Sequence, residues 1–356
     1  EANGQDVADL DYLLENVAIA TVADVMDLTE ENRILVKQGL EMLKRTSNLG
    51  LRALIQCIGL EGKKIQAYHI GFILAPCLNA SGKLDTAKRA LALLRAKTER
   101  EADMLAGDLK ALNESRRDMT DRVVDEAMAK VERTDIRGDK VLVIYLPDCH
   151  ESLAGLVAGR VRENYYRPVF VLTDSEDGVK GSGRSIESYS MYEELTGCGD
   201  LLTKFGGHPM AAGLSLDKEN VEKFKRRLND QCTLSEEELT EKVVIDMELP
   251  FAAITEHFIE ELEYMEPFGK GNTKPVFAAR GVVMQHVKII GKNKNVAKAT
   301  AIDAAGNRME AICFHDAQEF AKQCERNNGK MSITFYPGIN EFRGERQIQI
   351  AITHYR

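Results

Sequence analysis

The sequence lacks any apolar stretch that approaches the ~20 residues of a membrane-spanning helix. It also lacks an excess of basic residues, because 47 lysines and arginines face 56 aspartates and glutamates and leave a formal net charge of −9. This balance excludes a protein coated in basic surface, so any path for nucleic acid must be a local groove. We therefore expect no membrane contact, and a length of 356 residues indicates roughly two to three domains.

Tryptophan is absent, and so is any paired spacing of cysteines. Aromatic residues make up only 6% of the chain, so most of them are needed in the cores. The seven cysteines are an odd number and show neither the spacing of a redox pair nor that of a zinc knuckle. This usage predicts a reduced, cytoplasmic protein.

The most informative segment present is dense in small residues: Lys204-Phe-Gly-Gly-His-Pro-Met-Ala-Ala-Gly-Leu214. Runs of glycine are kept where the backbone needs positive φ or lies very close to a ligand. The segment therefore predicts a binding loop in which Gly206 and Gly207 approach the ligand and His208 presents the chemical group. A tight turn with a surface histidine at its tip is the alternative interpretation.

A second small-residue segment, Lys180-Gly-Ser-Gly-Arg-Ser-Ile186, lies about twenty residues upstream. In an extended segment Ser182 and Arg184 point to the same face. A guanidinium fork matches two phosphate oxygens, and a serine hydroxyl with glycine amides can satisfy the rest. This favours a phosphate site, with a flexible loop as the alternative.

Two further residues are candidates for polar chemistry. His150 stands at the entrance of a predicted helix, where free N–H groups and the helix dipole favour a phosphate; a capping or structural histidine is the alternative. Asp24 follows a short apolar passage that we interpret as a strand, and ligands often emerge where such a strand ends. A loop aspartate that caps a neighbouring amide is the alternative there.

The periodicity of the chain predicts its elements. Helices are expected over 29–45, 51–58 and 66–75, and a helix of roughly 35 residues, ~50 Å long, is expected from Thr98 to connect two lobes. An α/β alternation follows over 140–231. Several short strands and one helix then predict a small barrel of the OB type, a fold that commonly binds single strands. The predicted strands of this tail cover 243–248, 276–290, 296–303, 308–314, 331–336 and 347–353, with the helix over 316–325.

The aromatic and basic residues of this tail are candidates for contacts to single strands. Some of the aromatics must be core, because strand positions alternate between two faces. The candidates for base stacking are Phe314, Phe335, Tyr336 and Phe342. The candidates for following phosphates are Lys288, Lys292, Lys294, Lys298 and Arg343.

These motifs carry a family resemblance. The segments 181–185 and 205–213 resemble the nucleotide-binding signature of the DHH-associated domain of DHH-family phosphoesterases, and 20–33 resembles the last metal-binding motif of their catalytic domain. Leu78-Asn-Ala-Ser-Gly-Lys83 resembles a loop close behind that motif. Glu266-Pro-Phe-Gly-Lys-Gly-Asn272 and 342–349 resemble the C-terminal domain of the RecJ branch of single-stranded-DNA exonucleases.

The resemblance implies an α/β multidomain fold. The implied parts are the end of a DHH catalytic domain over 1–96, the connecting helix over 97–135, an α/β DHH-associated nucleotide-binding domain over 136–235 and an OB-type barrel over 236–356. The chain does not begin with methionine and contains no Asp-His-His triplet. On this resemblance we expect the C-terminal portion of a longer enzyme, inactive by itself.

The resemblance also implies a chemistry. Two divalent ions, Mn²⁺ or Mg²⁺, would drive stepwise 5′-to-3′ hydrolysis of single-stranded DNA in repair and recombination, with Asp24 as one metal ligand. Ser182, Arg184, Gly206, Gly207 and His208 would grip the nucleotide. Asn79, Lys83 and His150 would contribute phosphate contacts. A single-strand-binding protein and a helicase are the implied partners.

The sequence departs from the family pattern at Cys77 and Lys83, where many relatives carry arginines, which removes two bidentate phosphate forks. The motif at His150 lacks flanking residues that often accompany it. Two alternatives stay open: a DHH-type oligoribonuclease or nucleotide phosphoesterase, and a non-catalytic nucleic-acid-binding module. The tail beyond residue 241 argues against the first, and Asp24 with its motif argues against the second.

Overall fold

The computed structural model describes residues 12–84, 87–291, 293–314, 317–342 and 344–356, with the backbone alone at 81–84 and 342. The described residues form two compact units. Among the described residues, one unit is drawn from 12–46, 60–75 and 243–356, and the other from 47–59 and 76–242. The first unit is therefore built from segments far apart in the sequence.

The elements are named in chain order. The helices are α1 (Leu14–Ala23), α2 (Glu30–Leu43), α3 (Leu49–Cys57), α4 (Ala67–His69), α5 (Ala75–Leu84), α6 (Lys88–Leu94), α7 (Glu99–Arg133), α8 (Glu151–Tyr165), α9 (Met191–Thr196), α10 (Val221–Gln231), α11 (Glu256–Glu263) and α12 (Ala317–Arg326). The strands are β1 (Leu142–Tyr145), β2 (Val169–Ser175), β3 (Gly178–Arg184), β4 (Leu202–His208), β5 (Ala211–Leu216), β6 (Met247–Glu248), β7 (Phe277–Ile290), β8 (Val296–Ile302), β9 (Arg308–Cys313), β10 (Lys330–Phe342) and β11 (Glu345–Tyr355).

The passage before Asp24 is helical, so the predicted strand is wrong. Helix α1 buries Ala18 and Ile19, and it packs closely on α2 because Gly39 has no side chain. A Cβ at Gly39 would lie 2.4 Å from the Cβ of Ala18. The β-branched residues of 17–22 suggested a strand, but close packing on α2 favours the helix.

The predicted long helix is confirmed as α7, which runs for 35 residues. It begins directly after Thr98, the expected start, whose hydroxyl oxygen accepts a hydrogen bond from the backbone N–H of Glu101 at 3.2 Å. This contact satisfies one of the amide groups that a helix start leaves without a partner.

A five-stranded sheet in the order β1-β2-β3-β5-β4 forms the centre of the second unit. One face, the α8 face, packs on α7 and α8 through residues such as Leu142, Ile144, Val169 and Val171. The other, the α10 face, packs on α9 and α10, with Phe170 against Phe224 at 5.7 Å between ring centroids. The alternation of helices and strands predicted over 140–231 is confirmed, while β1 and β2 are parallel and the other strand pairs are antiparallel.

The expected binding loop is instead a β-hairpin. Residues 202–208 form the edge strand β4, and the chain turns at Pro209 and Met210 into β5. Glycines in a short segment resemble a loop in sequence, but an edge strand tolerates them when they permit close backbone approach. At Gly207, with φ +153°, a Cβ would lie 2.5 Å from the carbonyl oxygen of Ala211.

The tail is confirmed as an OB-type barrel. Strands β7, β8, β9, β11 and β10 pair in that order, and β10 pairs again with β7, which closes five strands into a barrel. The helix α12 matches its prediction. Helix α11 was missed because it is short, and the expected strand over 243–248 is reduced to β6.

Candidate nucleotide-binding site

Three side chains lie in one row across the sheet of the second unit. Ala211 of β5 pairs with Arg184 of β3 on one side and with His208 of β4 on the other. Directly paired residues of antiparallel strands point to the same face. Arg184 and His208, twenty-four positions apart in the sequence, therefore share the α8 face at one level of the sheet.

The next row on this face is made of small residues. Gly213 pairs with Ser182 on one side and Gly206 on the other. Gly213 and Gly206 are exposed and Ser182 is half-buried. A hydroxyl group therefore lies beside Arg184 on a floor of backbone that a ligand can approach closely.

The uncovered part of the α8 face consists of six residues on the last two strands. We call it the shelf. The shelf comprises Ala211, Gly213 and Ser215 of β5 and Lys204, Gly206 and His208 of β4, all of them exposed or half-buried.

Gly181 and Gly183 lie on the opposite face of the sheet, the α10 face. A Cβ at Gly181 would lie 2.5 Å from Cδ2 of Leu172, and one at Gly183 would lie 2.5 Å from Sδ of Met191 and 2.7 Å from Cε1 of Phe170. These two glycines let the α10 face pack closely against β3. Their neighbours Ser182 and Arg184 consequently point to the α8 face, as the alternation of the extended segment predicts.

The Arg184 side chain runs along helix α8. A Cβ at Gly155 would lie 2.9 Å from Nη2 of Arg184, so the guanidinium packs directly against the backbone of α8 at that position. Nη1 of Arg184 donates to the carbonyl oxygen of Gly183 at 2.8 Å. Burial lowers the pKa of Arg184, and the nearby charge of Arg162 lowers it further. Among the described residues Arg184 has no carboxylate partner, so this guanidinium is available to an anion.

The hairpin that carries His208 is anchored by backbone hydrogen bonds. The N–H of Met191 donates to the carbonyl oxygen of Pro209 at 2.9 Å, and the N–H of Ser185 donates to that of Met210 at 3.0 Å. The turn is thus tied to the start of α9 and to the end of β3. His208 itself is exposed at the end of β4.

His150 caps helix α8. Its Nδ1 accepts a hydrogen bond from the backbone N–H of Ser152 at 3.3 Å and lies 2.7 Å from Oγ of Ser152. The capping alternative is therefore realised, and the ring is also exposed.

A cleft of about 460 Å³ lies between the start of α8 and the strands β3, β5 and β4. It lies within the range of roughly 300–1,000 Å³ that is usual for small-molecule sites. Its polar lining includes Ser152, Ser182, Ser215, Lys180 and Lys204. The sequence reasoning missed the two lysines, although alternation from Arg184 and His208 along their strands would have found them.

The remaining predicted site residues lie elsewhere. Asp24 is exposed at the C-terminal cap of α1, in the first unit. Asn79 is exposed on α5, in the second unit, and the side chain of Lys83 lies outside the described residues. No group of three or more His, Cys, Asp or Glu suited to a metal ion exists in the described part of the chain, so the residues at Asp24 do not by themselves fit a metal centre.

The aromatic and basic candidates of the barrel lie in different environments. Phe335 is fully buried, so its predicted role in base stacking is wrong; its strand position points into the barrel core. Tyr336 is half-buried with Nζ of Lys274 4.3 Å from its ring centroid, and Phe314 is 51% exposed. Lys298 pairs with Glu310 at 2.8 Å. The side chains of Phe342, Lys292 and Arg343 lie outside the described residues.

Within the described ranges, none of the helices is both long enough and apolar enough to cross a membrane.

Two domain families match the chain. Residues 138–234 match the DHHA1 domain, and residues 245–354 match the RecJ OB domain. The first of these matches contains the row of Arg184 and His208, and the second contains the barrel.

Full-length relatives extend the similarity. The single-stranded-DNA-specific exonuclease RecJ of Bacillus subtilis (strain 168) is 35% identical over 346 residues, which cover 96% of this chain and 44% of the relative. The crystal structure of RecJ from Thermus thermophilus in complex with Mg²⁺ has a TM-score of 0.80 and 25% identity, covering 97% of this chain and 52% of that chain. The structure with Mn²⁺ has a TM-score of 0.80 and 26% identity, covering 97% and 50%. The chain spans about half the length of these relatives.

Proposed function

The chain belongs to the RecJ family, whose DHHA1 and RecJ OB domains it carries, and we propose that it is part of a 5′-to-3′ exonuclease specific for single-stranded DNA. On this proposal the chain binds the 5′ end of the DNA and the nucleotides that follow it. The enzyme releases mononucleotides and serves DNA repair and recombination in the cytoplasm, where a helicase and a single-strand-binding protein are the expected partners.

The row of Arg184, Ala211 and His208 is the observation that carries the proposal. A half-buried guanidinium without a carboxylate partner is a strong bidentate anion binder, because little water competes for it. The hydroxyl of Ser182 lies one row away, and the Gly206 and Gly213 floor admits a nucleotide. We propose that these residues hold the 5′-terminal phosphate, and that His208 contacts it from the outer strand.

The hydrolytic step requires divalent metal in this proposal. The Thermus thermophilus RecJ structures are complexes with Mg²⁺ and with Mn²⁺, and such ions supply an activated water and stabilise the leaving oxygen. The described residues hold no metal cluster of their own. We therefore propose that Asp24 is a single ligand of a centre whose other ligands come from the part of the relatives that this chain does not match. We also propose that Asn79, Lys83 and His150 contact phosphates of the DNA strand.

The proposed domains divide this work. Residues 136–235 hold the nucleotide and 236–356 hold the strand behind it through the barrel, while 1–96 contribute the end of the catalytic domain and 97–135 the helix that joins the lobes. Phe314, exposed at the end of β9, remains available for base stacking, which is sequence-tolerant.

The proposal is tested by binding of 5′-phosphorylated and 5′-hydroxyl oligothymidylates to the chain. We expect the chain to prefer the phosphorylated end, and we expect Arg184→Gln to abolish that preference with a loss of roughly tenfold or more, since hydrogen bonds to charged groups contribute about 1.5–3 kcal/mol. Arg160→Gln is the matched control, because Arg160 is exposed on α8 and its replacement removes the same charge. Equal binding of both ends by the unmodified chain would contradict the phosphate role.

The same variants are then compared for nuclease activity with Mn²⁺ on 5′-labelled DNA, in this chain and in a chain extended to the length of its relatives. We expect activity from the extended chain alone, and its loss on Asp24→Asn. Digestion by the chain alone would contradict the proposed division of the metal centre. Binding without digestion by either chain would favour the non-catalytic binding module, which the absence of a metal cluster among the described residues already makes the second candidate.

A further inference from the structure

The α8 face carries a third row of polar residues, next to the row of Ser182 and two rows from that of Arg184. Ser215 of β5 pairs with Lys180 of β3 and with Lys204 of β4. Both lysines and Ser215 line the cleft of about 460 Å³. The row lies at the opposite end of the shelf from His208.

The two lysines of this row differ in their charge environment. Nζ of Lys180 pairs with the Glu151 carboxylate at 2.7 Å, so its charge is largely compensated. Lys204 is exposed and has no acidic partner among the described residues. Lys204 is therefore the cation that this end of the shelf offers to a ligand.

Lys204 is too far from the first row to bind the same phosphate. Lys204 and His208 are four residues apart on β4, and a strand rises ~3.4 Å per residue, which separates their backbones by ~13 Å. Because side chains on a strand stand roughly perpendicular to the sheet, the two ends of this span face different phosphates of a bound DNA strand. A single-stranded DNA that lies along β4 therefore brings a second phosphate to Lys204.

The floor between the two cationic rows is open. Nothing lies within 4 Å of a Cβ built at Gly206, and the nearest atom to one built at Gly213 is a backbone oxygen at 3.9 Å. These positions have glycine although the surrounding space would accept a side chain. Bare backbone there leaves a smooth track between Lys204 and His208.

Two cations on the α8 face, Arg184 and Lys204, have no carboxylate partner among the described residues, although the whole chain carries −9. Two of the acidic groups near the end of the track are compensated, because Glu151 pairs with Lys180 and Asp174 pairs with Lys218 at 3.0 Å. A local positive field in an acidic protein concentrates a polyanion at one place.

We propose that Lys204, with Ser215 beside it, is a second phosphate-binding subsite that holds an internal phosphodiester of the single strand whose 5′ phosphate lies at Arg184 and His208. This inference rests on the proposed function, since it takes the first row as the terminal-phosphate site. The consequence is a length requirement. A mononucleotide occupies the first row alone, whereas a strand of several nucleotides reaches both rows and binds more tightly.

The test measures the affinity of the chain for 5′-phosphorylated oligothymidylates of one, two, four and six nucleotides at low salt. We expect Lys204→Gln to leave the affinity for the mononucleotide unchanged and to weaken that for the longer strands roughly three- to fivefold, the effect of one exposed ion pair. The slope of log affinity against log salt should fall by about 0.7 for the longer strands.

Lys223→Gln is the matched control. Lys223 lies on α10, which packs on the opposite face of the sheet, and its replacement changes the net charge equally. A length-independent loss in Lys204→Gln, or an equal loss in Lys223→Gln, would overturn the second subsite.

A second probe locates the contact. Hexanucleotides with a single uncharged methylphosphonate at the first, second, third or fourth linkage remove one phosphate charge at a time. We expect one internal linkage whose neutralisation weakens DNA binding by the unmodified chain but does not further weaken DNA binding by the Lys204→Gln variant. If each linkage affects both proteins equally, Lys204 contacts no defined phosphate and the proposal is wrong.

Arg184→Gln separates this inference from the proposed function. If Arg184→Gln loses 5′-phosphate preference while Lys204→Gln shows no length dependence, only the second subsite fails. If Arg184→Gln has no effect at any length, the terminal-phosphate site fails and the second subsite fails with it.

Discussion

At the scale of single residues, two glycines of the same sheet lie in opposite environments. Gly183 lies under the ring of Phe170 on the α10 face, whereas Gly206 lies on the open shelf. Glycine in a strand weakens it unless the missing side chain permits close packing or ligand approach. Gly183 thus serves packing, whereas Gly206 leaves open space that the proposed nucleotide would occupy.

Substitution of these two glycines by alanine should have different effects on stability. Gly183→Ala places a Cβ 2.7 Å from Cε1 of the buried Phe170 ring, so we expect a loss of about 1–3 kcal/mol in the free energy of unfolding. Gly206→Ala meets nothing within 4 Å and should stay within about 0.5 kcal/mol. Urea titration of both variants gives the comparison. Equal losses would show that the Gly183 contact is relieved by a backbone shift.

At the scale of elements, α7 and β4 show when a sequence pattern is sufficient. Helix α7 has a cap at Thr98, many strong helix formers and a sparse apolar stripe, so its start and length follow from the sequence. Strand β4 contains Gly206 and Gly207, which suggest a loop. Its strand conformation depends on pairing with β5, which local sequence does not encode.

Helix α7 offers a stabilising substitution at Gly107. This glycine is exposed in the helix interior, and a Cβ there would meet nothing within 4 Å. Gly107→Ala should therefore raise the free energy of unfolding by about 0.5–1 kcal/mol, because alanine loses less backbone entropy.

Gly50→Ala is the informative contrast in helix α3, where a Cβ would lie 2.0 Å from the carbonyl oxygen of Leu93. We expect that variant to be destabilised despite the same gain in helix propensity. Thermal unfolding of the two variants measures both effects, and a stabilised Gly50→Ala would contradict the packing of α3 on the segment that carries Leu93.

At the scale of the whole molecule, the first unit joins the two ends of the described chain. The N–H of Leu28 donates to the carbonyl oxygen of Lys270 at 2.6 Å, and Nη2 of Arg33 donates to that of Tyr264 at 2.9 Å. Lys64 pairs with Glu263 at 3.0 Å. The turn before α2 and the start of α2 are therefore held by residues more than 200 positions away, and α1 packs on α2.

Removal of 243–356 should consequently affect the two units differently. We expect the amides of α1 and α2 to lose protection from hydrogen exchange in the shortened chain, because Leu28 and Arg33 lose their partners and α1 packs on α2, while the amides of the β1–β5 sheet keep theirs. The complete chain serves as the control. Unchanged protection in α1 and α2 would show that these helices fold without the C-terminal segment.

The amino-acid sequence by itself determined the elements whose signals are local. The cap at Thr98, the alternation that sends Ser182 and Arg184 to one face, and the strand pattern of the barrel can all be identified within a few residues. The family resemblance rested on motifs of the same short range. Local signals suffice here because backbone propensity and alternation act between near neighbours.

Only the tertiary structure decided which residues meet. It made a helix of the passage before Asp24, a strand of the expected loop, and a single row of Arg184 and His208. It also placed Lys204 on the same face as that row, two rows away along β4, and buried Phe335 in the barrel core. The physical reason is that strand pairing and helix packing depend on partners distant in sequence, whose register sets the face and burial of each side chain.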